Sequence, residues 1–322
     1  MAPRSSFAEV LSSASKDITT ADGKLVRHYS SADPLPAVPD NATATVPVYW
    51  YRVPKGLPAT AGMHRFYWDL RYQPAETAAG GRGGGAPSIG AIPGNSGPAP
   101  STPLVAPGTY TVKLTVDGKS QTQPLVVERH PLYSATDADL QAQFDFLIQV
   151  RDKVSEANNA VIQIRAIKTA VADRLGKSSG DSKLKTAGDT LVANLSAIEG
   201  ELYQVKNQSG QDPLNYPIKL NNFFAGLLSM VGNGDGRPTT EAPKIFENLK
   251  AQLKVQTDKL AVVLTKDLAA FNVEAKRLAA DSLETARHRS GRLDLHDEVD
   301  RAHVDAQFQG ARGHERAQLA PL

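Results

Sequence analysis

The stretch GTYTVKLTVDGKSQTQPLVV, residues 108–127, decides the fold of the first part of the chain. Apolar and polar side chains alternate along its first half, which predicts a strand with one buried face. The apolar side consists of Tyr110, Val112, Leu114 and Val116, and the polar side of Thr111, Lys113 and Thr115. Asp117 and Gly118 then supply the two positive φ values of a tight type I′ turn. Because Pro124 has no N–H to donate, the returning strand should lie at a sheet edge or carry a bulge.

Other segments before Pro131 have the same β character. DGKLVRHY follows a turn signal at Asp22 and Gly23, and residues 46–53 and 64–72 are rich in the aromatic residues that favour strands. Residues 78–103 are rich in Gly and Pro and predict a flexible loop. Their GGRGGG run lacks the following helix and the Lys-Ser/Thr pair of a phosphate-binding loop. We therefore expect a β-sandwich over residues 17–130.

After Pro131 the apolar period changes from two to 3.6 residues. Ser134 or Thr136 can cap a first helix, whose apolar stripe runs from Leu140 to Leu175. GKSSGD ends this helix, a second follows, a third surrounds LNNFFAGLLSMV, and GNGDGRP separates it from a fourth. Four helices with short links predict an antiparallel up-and-down bundle over residues 131–283. The predicted fold class is therefore α+β and multidomain, a sandwich followed by a bundle.

The two ends differ from the rest of the sequence. Residues 1–16 lack the apolar core of a signal peptide, and we expect a leader that is disordered or foreign to the remainder. Residues 284–322 contain no lysine but four of the chain's seven histidines. Their sparse apolar positions predict a disordered tail.

Composition narrows the classes of function. A length of 322 residues suits about two domains, and a net charge of +2 gives no reason to expect a nucleic-acid partner. The absence of cysteine excludes disulfides, thiolate metal sites and cysteine nucleophiles. No apolar run reaches the roughly 18–20 residues of a membrane span, so none is expected.

The segment GMHRFYWDLRY, residues 62–72, raises the question of catalysis. Read as a strand, one face would hold the core residues Phe66, Trp68, Leu70 and Tyr72. The other face would hold a candidate surface cluster of Arg65, Asp69 and Arg71 beside Tyr67. This cluster could read a sugar, or it could be a cross-strand ion pair. We favour the ion pair, since a glycosidase needs two carboxylates and the segment has one.

No other motif indicates a catalytic, cofactor or metal site. The tail histidines are not spaced as in a helical zinc motif. His28, His64 and His130 have no partner that the sequence identifies. We therefore predict no catalytic residue, no cofactor and no metal.

Several segments taken together resemble a known family. They are DGKLVRHYSS, VPVYWYRVP, AGMHRFYWDLRY, PGTYTVKLTVDGKSQTQPLVV and YPIKLNNFFAGLLSMVGNGDGRPT. In this order they resemble the C-terminal region of large bacterial exported proteins with a β-propeller of BNR (Asp-box) repeats. These proteins are sialidase-like or sortilin/VPS10-like and are often labelled glycosyl hydrolases. The resemblance spans about residues 17–280 and implies an immunoglobulin-like sandwich of the FlgD type followed by helices.

The resemblance also implies a function. The propeller would hold any glycan site, and no Asp-box appears in this chain, so we expect a C-terminal fragment of such a protein. Its role would be that of a non-catalytic accessory module. The partner would be the upstream propeller, with a glycan or another protein as further possibilities. Two alternatives stay open: part of a glycoside hydrolase whose catalytic propeller lies elsewhere, and a stand-alone binding protein that uses the helices. The parent would be exported, although this chain shows no signal peptide.

Overall fold

The structure is a computed structural model that describes residues 13–34, 47–50, 56–76, 102–178, 180–206 and 214–289, with side chains to residue 278. These residues form a four-stranded antiparallel sheet and four helices, so the fold is mixed α+β. The strands are β1 (Ala14–Thr20), β2 (Leu25–Ser30), β3 (Gly108–Val116) and β4 (Lys119–Val127). The helices are α1 (Asp137–Gly176), α2 (Ser182–Leu202), α3 (Leu220–Gly232) and α4 (Glu241–Arg289).

The chain divides into two compact units, Met1–Phe271 and Asn272–Leu322. The first unit holds the sheet, three complete helices and most of α4. Within the second unit, the described residues continue α4, where Arg277 Nε donates to Glu274 Oε2 at 2.8 Å. Helix α4 extends past residue 283, the predicted end of the helical part. Residues 290–322, most of the predicted tail, lie outside the described residues.

The strands lie in the order β2-β1-β3-β4, and every neighbouring pair is antiparallel. The predicted hairpin is confirmed: Asp117 and Gly118 have φ values of 45° and 80°. β1 begins at Ala14, inside the range 1–16 predicted as a leader, and pairs there with Val116 of β3.

Pro124 fits the edge position predicted for β4. It pairs with Thr111 of β3. Counted from the two-residue turn, this is a pair without ladder hydrogen bonds, so the proline nitrogen faces away from β3. The missing N–H of Pro124 therefore costs no hydrogen bond between β3 and β4. On the exposed edge of β4 it leaves one N–H donor fewer for pairing with another chain.

One face of the sheet carries the core, and residues 66–72 and 102–106 lie against it. The most buried side chains in this cluster are Ile18, Val26, Tyr72, Val105 and Tyr110. Trp68 packs on Tyr110 with ring centroids 6.0 Å apart, and Phe66 packs on Tyr29 at 4.7 Å. The Tyr110 hydroxyl donates to the carbonyl of Ala106 at 2.7 Å, and burial raises the pKa of Tyr110 to about 12.

The strand predicted over residues 64–72 is wrong. This segment makes one isolated bridge, between Arg71 and Leu104. Leu70 has a φ of 57°, in the left-handed region, so the alternation breaks and its side chain is exposed instead of buried. In residues 46–53 the described part is a 3₁₀ turn, Val48–Trp50, and not the predicted strand.

A second sheet is not found among the described residues, so the sandwich stays a prediction. Residues 77–101, which include nearly all of the predicted loop, lie outside them.

Four helices were predicted, and four are found among the described residues, the last of them extending past the predicted limit at residue 283. α1 begins after Thr136, whose side chain accepts from the Asp139 N–H at 3.2 Å while the Asp139 carboxylate accepts from the Thr136 N–H. This reciprocal capping box satisfies two donors that a helix start would leave free. GKSSGD separates α1 from α2, and GNGDGRP separates α3 from α4.

Aromatic contacts bring α4 against the earlier helices. Phe246 of α4 meets Phe146 of α1 at 5.5 Å and Phe224 of α3 at 6.1 Å, edge to face in both pairs. α1 also packs against α2 and α3. The up-and-down bundle arrangement itself stays a prediction.

Gly188 allows a close approach of α2 to its neighbours. A Cβ atom at this position would lie 3.0 Å from Leu175 of α1 and 3.3 Å from both Val171 and Phe271. Such contacts are tighter than ordinary packing, so any side chain must displace those groups. Gly226, exposed within α3, has open space around the same position.

Replacing each glycine by alanine in its own variant separates the effect of packing on stability from the effect of helix propensity. Gly226→Ala should raise the free energy of unfolding by about 0.5–1 kcal/mol, because alanine loses less backbone entropy. Gly188→Ala gains the same helix propensity, but its methyl group overpacks the space between the helices. This variant should therefore be about 1–3 kcal/mol less stable than Gly226→Ala. Urea unfolding monitored by circular dichroism measures both. Equal stabilisation by the two changes would contradict the close approach.

Candidate functional site

The predicted surface cluster is held by local contacts. Asp69 Oδ1 accepts from the backbone N–H of Arg71 at 3.1 Å. Arg71 Nη1 donates to the carbonyl of Thr102 at 2.5 Å, and Arg65 Nη1 lies 3.5 Å from the Tyr67 hydroxyl. Within the described part of the chain, no ion pair joins Asp69 to either arginine. Asp69 and Arg71 therefore bond to backbone groups and Arg65 to a side chain, and in the described structure the three do not form one polar site.

Arg71 and Thr102 instead lie in a cleft of about 250 Å³. Residues 70–71 and 102–107 form one wall, residues 127–133 form a second, and α1 and α3 form a third. The apolar part of the lining includes Pro103, Val105, Phe144, Leu147 and Leu228.

Thr102 is the unusual residue of this cleft. It is 6% exposed, and its Oγ1 is buried without a hydrogen-bond partner in the structure. Buried hydroxyl groups are nearly always paired, so an unpaired one requires an explanation. Two hydrogen bonds hold the backbone nearby. The Tyr72 N–H donates to the carbonyl of Pro103 at 3.0 Å, and the Val105 N–H donates to the carbonyl of Leu70 at 2.8 Å.

The linker between β4 and α1 forms the second wall and is fastened by Arg129. Its Nε donates to Asp137 Oδ1 at 3.0 Å, and its Nη1 donates to the carbonyls of Tyr133 and Ala135 at 2.7 and 3.1 Å. The rings of His130 and Tyr133 lie 5.3 Å apart. The charge of Arg129 is thus already paired.

The loop after α3 is fastened to α1 on the third wall. Gln143 Nε2 donates to the carbonyls of Val231 and Gly234 at 2.8 and 2.5 Å. Arg237 Nε donates to Asp139 Oδ1 at 3.0 Å. Hydrogen bonds from Thr136 and then from Arg237 lower the pKa of Asp139 to about 2. GNGDGRP is therefore an anchored turn.

The low pKa of Asp139 predicts a dependence of stability on pH. A carboxyl group whose pKa is lower in the folded than in the unfolded chain stabilises the fold above its ordinary pKa, near 3.8. This contribution disappears as the pH falls through about 2. Asp139→Asn should therefore be less stable than the wild type at neutral pH. Its stability should also fall less than that of the wild type when the pH is lowered.

Thermal unfolding at several pH values between 2 and 6 tests this expectation. The control is Asp173→Asn, which removes an exposed carboxylate of α1 with no ion pair in the described structure. The control should retain the acid-dependent slope of the wild type. A wild-type slope in Asp139→Asn as well would contradict the assignment.

His28 has a partner that the sequence did not reveal. Its Nδ1 lies 2.6 Å from Asp17 Oδ1, across β1 and β2. The pair lies on the polar face of the sheet, where Lys113 of β3 is the next neighbour of Asp17. Among the described residues, no three His, Cys, Asp or Glu side chains are grouped so that they could hold a metal ion. The His28 side chain is 46% exposed and the Asp17 side chain 28%, so the pair lies at the protein surface.

Glu199 forms a second charged cluster, between α1 and α2. It is 4% exposed, and its carboxylate accepts from Arg165 Nε at 2.6 Å and from Lys168 Nζ at 3.0 Å. Burial acts to raise the pKa of Glu199, but the two hydrogen bonds and positive charges outweigh it, and the pKa lies below its usual value. The cluster joins two helices.

Sequence reasoning found Arg71 but missed the cleft around it. Thr102 stands at the end of the Gly/Pro-rich stretch, where nothing marks it as buried. His130 and Tyr133 follow the last strand without any motif. Only one part of the lining was marked by the sequence, namely GNGDGRP, which was predicted to separate the third helix from the fourth.

Comparison of the chain with family models, curated proteins and solved structures finds no match. In the described part of the chain, no helix combines the length and the apolar character needed to cross a membrane.

Proposed function

We propose that this chain is a non-catalytic interaction module that docks the β-propeller of an exported sialidase-like protein. In this proposal the sheet is half of an immunoglobulin-like sandwich, and the helices form an antiparallel up-and-down bundle. The resemblance of residues 17–280 to the C-terminal region of such proteins supports the partner, and one feature of residues 62–72 supports the mode of contact.

The outer side of residues 62–72 carries the proposal. Phe66 and Trp68 point into the sheet core, as their contacts with Tyr29 and Tyr110 require. Met63 is 100% exposed and Tyr67 is 78% exposed, with the Arg65 guanidinium beside the Tyr67 hydroxyl. Met, Tyr and Arg are enriched at protein interfaces compared with the rest of the surface. A firmly anchored segment that presents these residues is suited to docking.

Contacts on the inner side of residues 62–72 hold this surface in a fixed shape. Lys16 Nζ lies 4.2 Å from the centroid of the Phe66 ring, and the Trp68 indole N–H donates to the carbonyl of Arg71 at 3.0 Å. Partial burial lowers the pKa of Lys16. Because the segment is already ordered, docking would cost less conformational entropy than the ordering of a free loop.

The first test concerns the partner. Sequencing the DNA on both sides of the reading frame should reveal BNR repeats and a signal peptide upstream. Unrelated upstream sequence would refute the docking proposal and favour a stand-alone binding protein that uses the helices. Catalysis by the isolated propeller, without this chain, would support the glycoside hydrolase alternative for the parent.

The second test concerns the surface. Met63→Ser and Tyr67→Ser together should leave the free energy of unfolding within about 0.5 kcal/mol of the wild type, because neither side chain is buried. The same double change should weaken association with the separately expressed propeller at least tenfold, about 1.4 kcal/mol. Titration calorimetry measures the association.

Leu132→Ser is the matched control for this test. Leu132 is 85% exposed but belongs to the linker before α1. The Leu132→Ser variant should bind the propeller with the same affinity as the wild type. If the double variant binds equally well, the docking surface lies elsewhere.

A further inference from the structure

We propose that the cleft beside Leu70 is the anchor pocket of the docking surface on residues 62–72. It receives one large apolar side chain of the partner, a leucine, an isoleucine or a phenylalanine. The pocket has this role only if residues 62–72 dock a partner, so the proposal rests on the proposed function. The two can fail separately, because a partner could dock on Met63 and Tyr67 without entering the cleft.

Leu70 belongs to both the docking segment and the cleft. It follows Tyr67 by three residues, so the two Cα atoms are at most about 11 Å apart. Its side chain is part of the lining of the cleft. A standard interface covers about 800 Å² of each partner, which is a patch far wider than this separation. A partner that covers Tyr67 can therefore also cover the edge of the cleft.

The backbone of Leu70 has a conformation that leucine rarely adopts. Its φ of 57° lies in the left-handed region, where a bulky side chain is strained. Residues strained in this way cluster at binding sites, where the surrounding structure holds them. Here the Leu70 carbonyl accepts from the Val105 N–H at 2.8 Å, and the side chain stays 39% exposed. The strained backbone thus leaves an apolar side chain at the surface of the cleft.

Other exposed apolar side chains line the same cleft. Leu104 is 47% exposed and Tyr133 is 38% exposed. Phe144 and Leu228 add apolar lining from α1 and α3. Binding energy at protein interfaces is concentrated in a few residues that fill such pockets. An apolar group that covers these side chains removes their surface from water, which favours binding.

The longer polar side chains of the lining already have partners. Gln143 donates to two backbone carbonyls. Arg129 donates to two backbone carbonyls and is paired with Asp137. Arg71 donates to one backbone carbonyl. These contacts lower the gain from bringing in a charged group, so the lining favours an uncharged apolar occupant.

The test measures association of the intact chain with the separately expressed propeller by titration calorimetry. Leu70→Asn removes the apolar side chain and introduces a residue that accepts the left-handed conformation more readily. It should weaken association at least about tenfold, as the loss of a central interface residue does. Its melting temperature should stay near that of the wild type, because the relieved strain offsets the lost apolar contacts. Wild-type affinity, or a large fall in melting temperature, would overturn the proposal.

Ile162→Asn is the matched control. Ile162 is 40% exposed, close to the value for Leu70. It lies on α1, about 22 Å along the helix axis from Leu147, the nearest cleft residue of that helix. The control should bind the propeller with wild-type affinity. Equal losses of affinity in the two asparagine variants would assign the effect to general stability and overturn the proposal.

The double variant Met63→Ser with Tyr67→Ser separates the anchor pocket from the docking surface. Weaker association in both this variant and Leu70→Asn supports the pocket. Weaker association in the double variant alone keeps the docking surface and refutes the pocket. Wild-type association in both variants refutes both proposals.

Two short amides test the chemistry of the occupant without the propeller. N-acetylphenylalanine amide carries a large apolar side chain, and N-acetylserine amide carries a small polar one. In nuclear magnetic resonance titrations of the intact chain, the first should produce saturable shifts of the backbone amides of Leu104, Val105 and Ala106, and the second should not. Equal shifts with both amides, or none with the first, would overturn the apolar occupant.

Discussion

The contact between Tyr72 and Phe144 joins the sheet to the first helix, and the rest of the junction is built around it. The two rings lie 4.9 Å apart, and the Arg151 guanidinium lies 5.9 Å from the Tyr72 ring. The carbonyl of Tyr72 accepts from Arg27 of β2 at 2.9 Å, so the residue is held from the sheet side as well. Burial raises the pKa of its phenol. The core of the sheet continues through this residue into α1.

The residues after Tyr72 bind first to the sheet and then to helix side chains. The Gln73 N–H donates to the carbonyl of Val26 in β2 at 3.0 Å. Ser155 accepts from the Glu76 N–H at 3.1 Å, and Asn158 donates to the Glu76 carbonyl at 2.6 Å. Arg151 donates to the carbonyl of Gln73 at 3.3 Å. Backbone groups need partners, and α1 supplies them where a sheet would otherwise do so.

Features set by a few adjacent residues could be predicted from the sequence. The turn at Asp117 and Gly118 and the capping box at Thr136 depend on local backbone geometry and local hydrogen bonds. The contacts that decide the candidate site are long-range. The pairing of His28 with Asp17 requires the register of β1 and β2, which shifts at Ile18, and no local pattern encodes that shift. In residues 64–72 the alternation holds for Trp68 and Tyr72, which pack in the core, but the left-handed residue Leu70 is exposed.

The proposed docking surface and the cleft share a short piece of backbone. The bridge between Arg71 and Leu104 joins residues 62–72 to residues 102–107. On either side of this bridge the Tyr72 N–H donates to the carbonyl of Pro103 at 3.0 Å, and the Val105 N–H donates to the carbonyl of Leu70 at 2.8 Å. Because these bonds hold both segments, a change that breaks them should alter the docking surface and the cleft together.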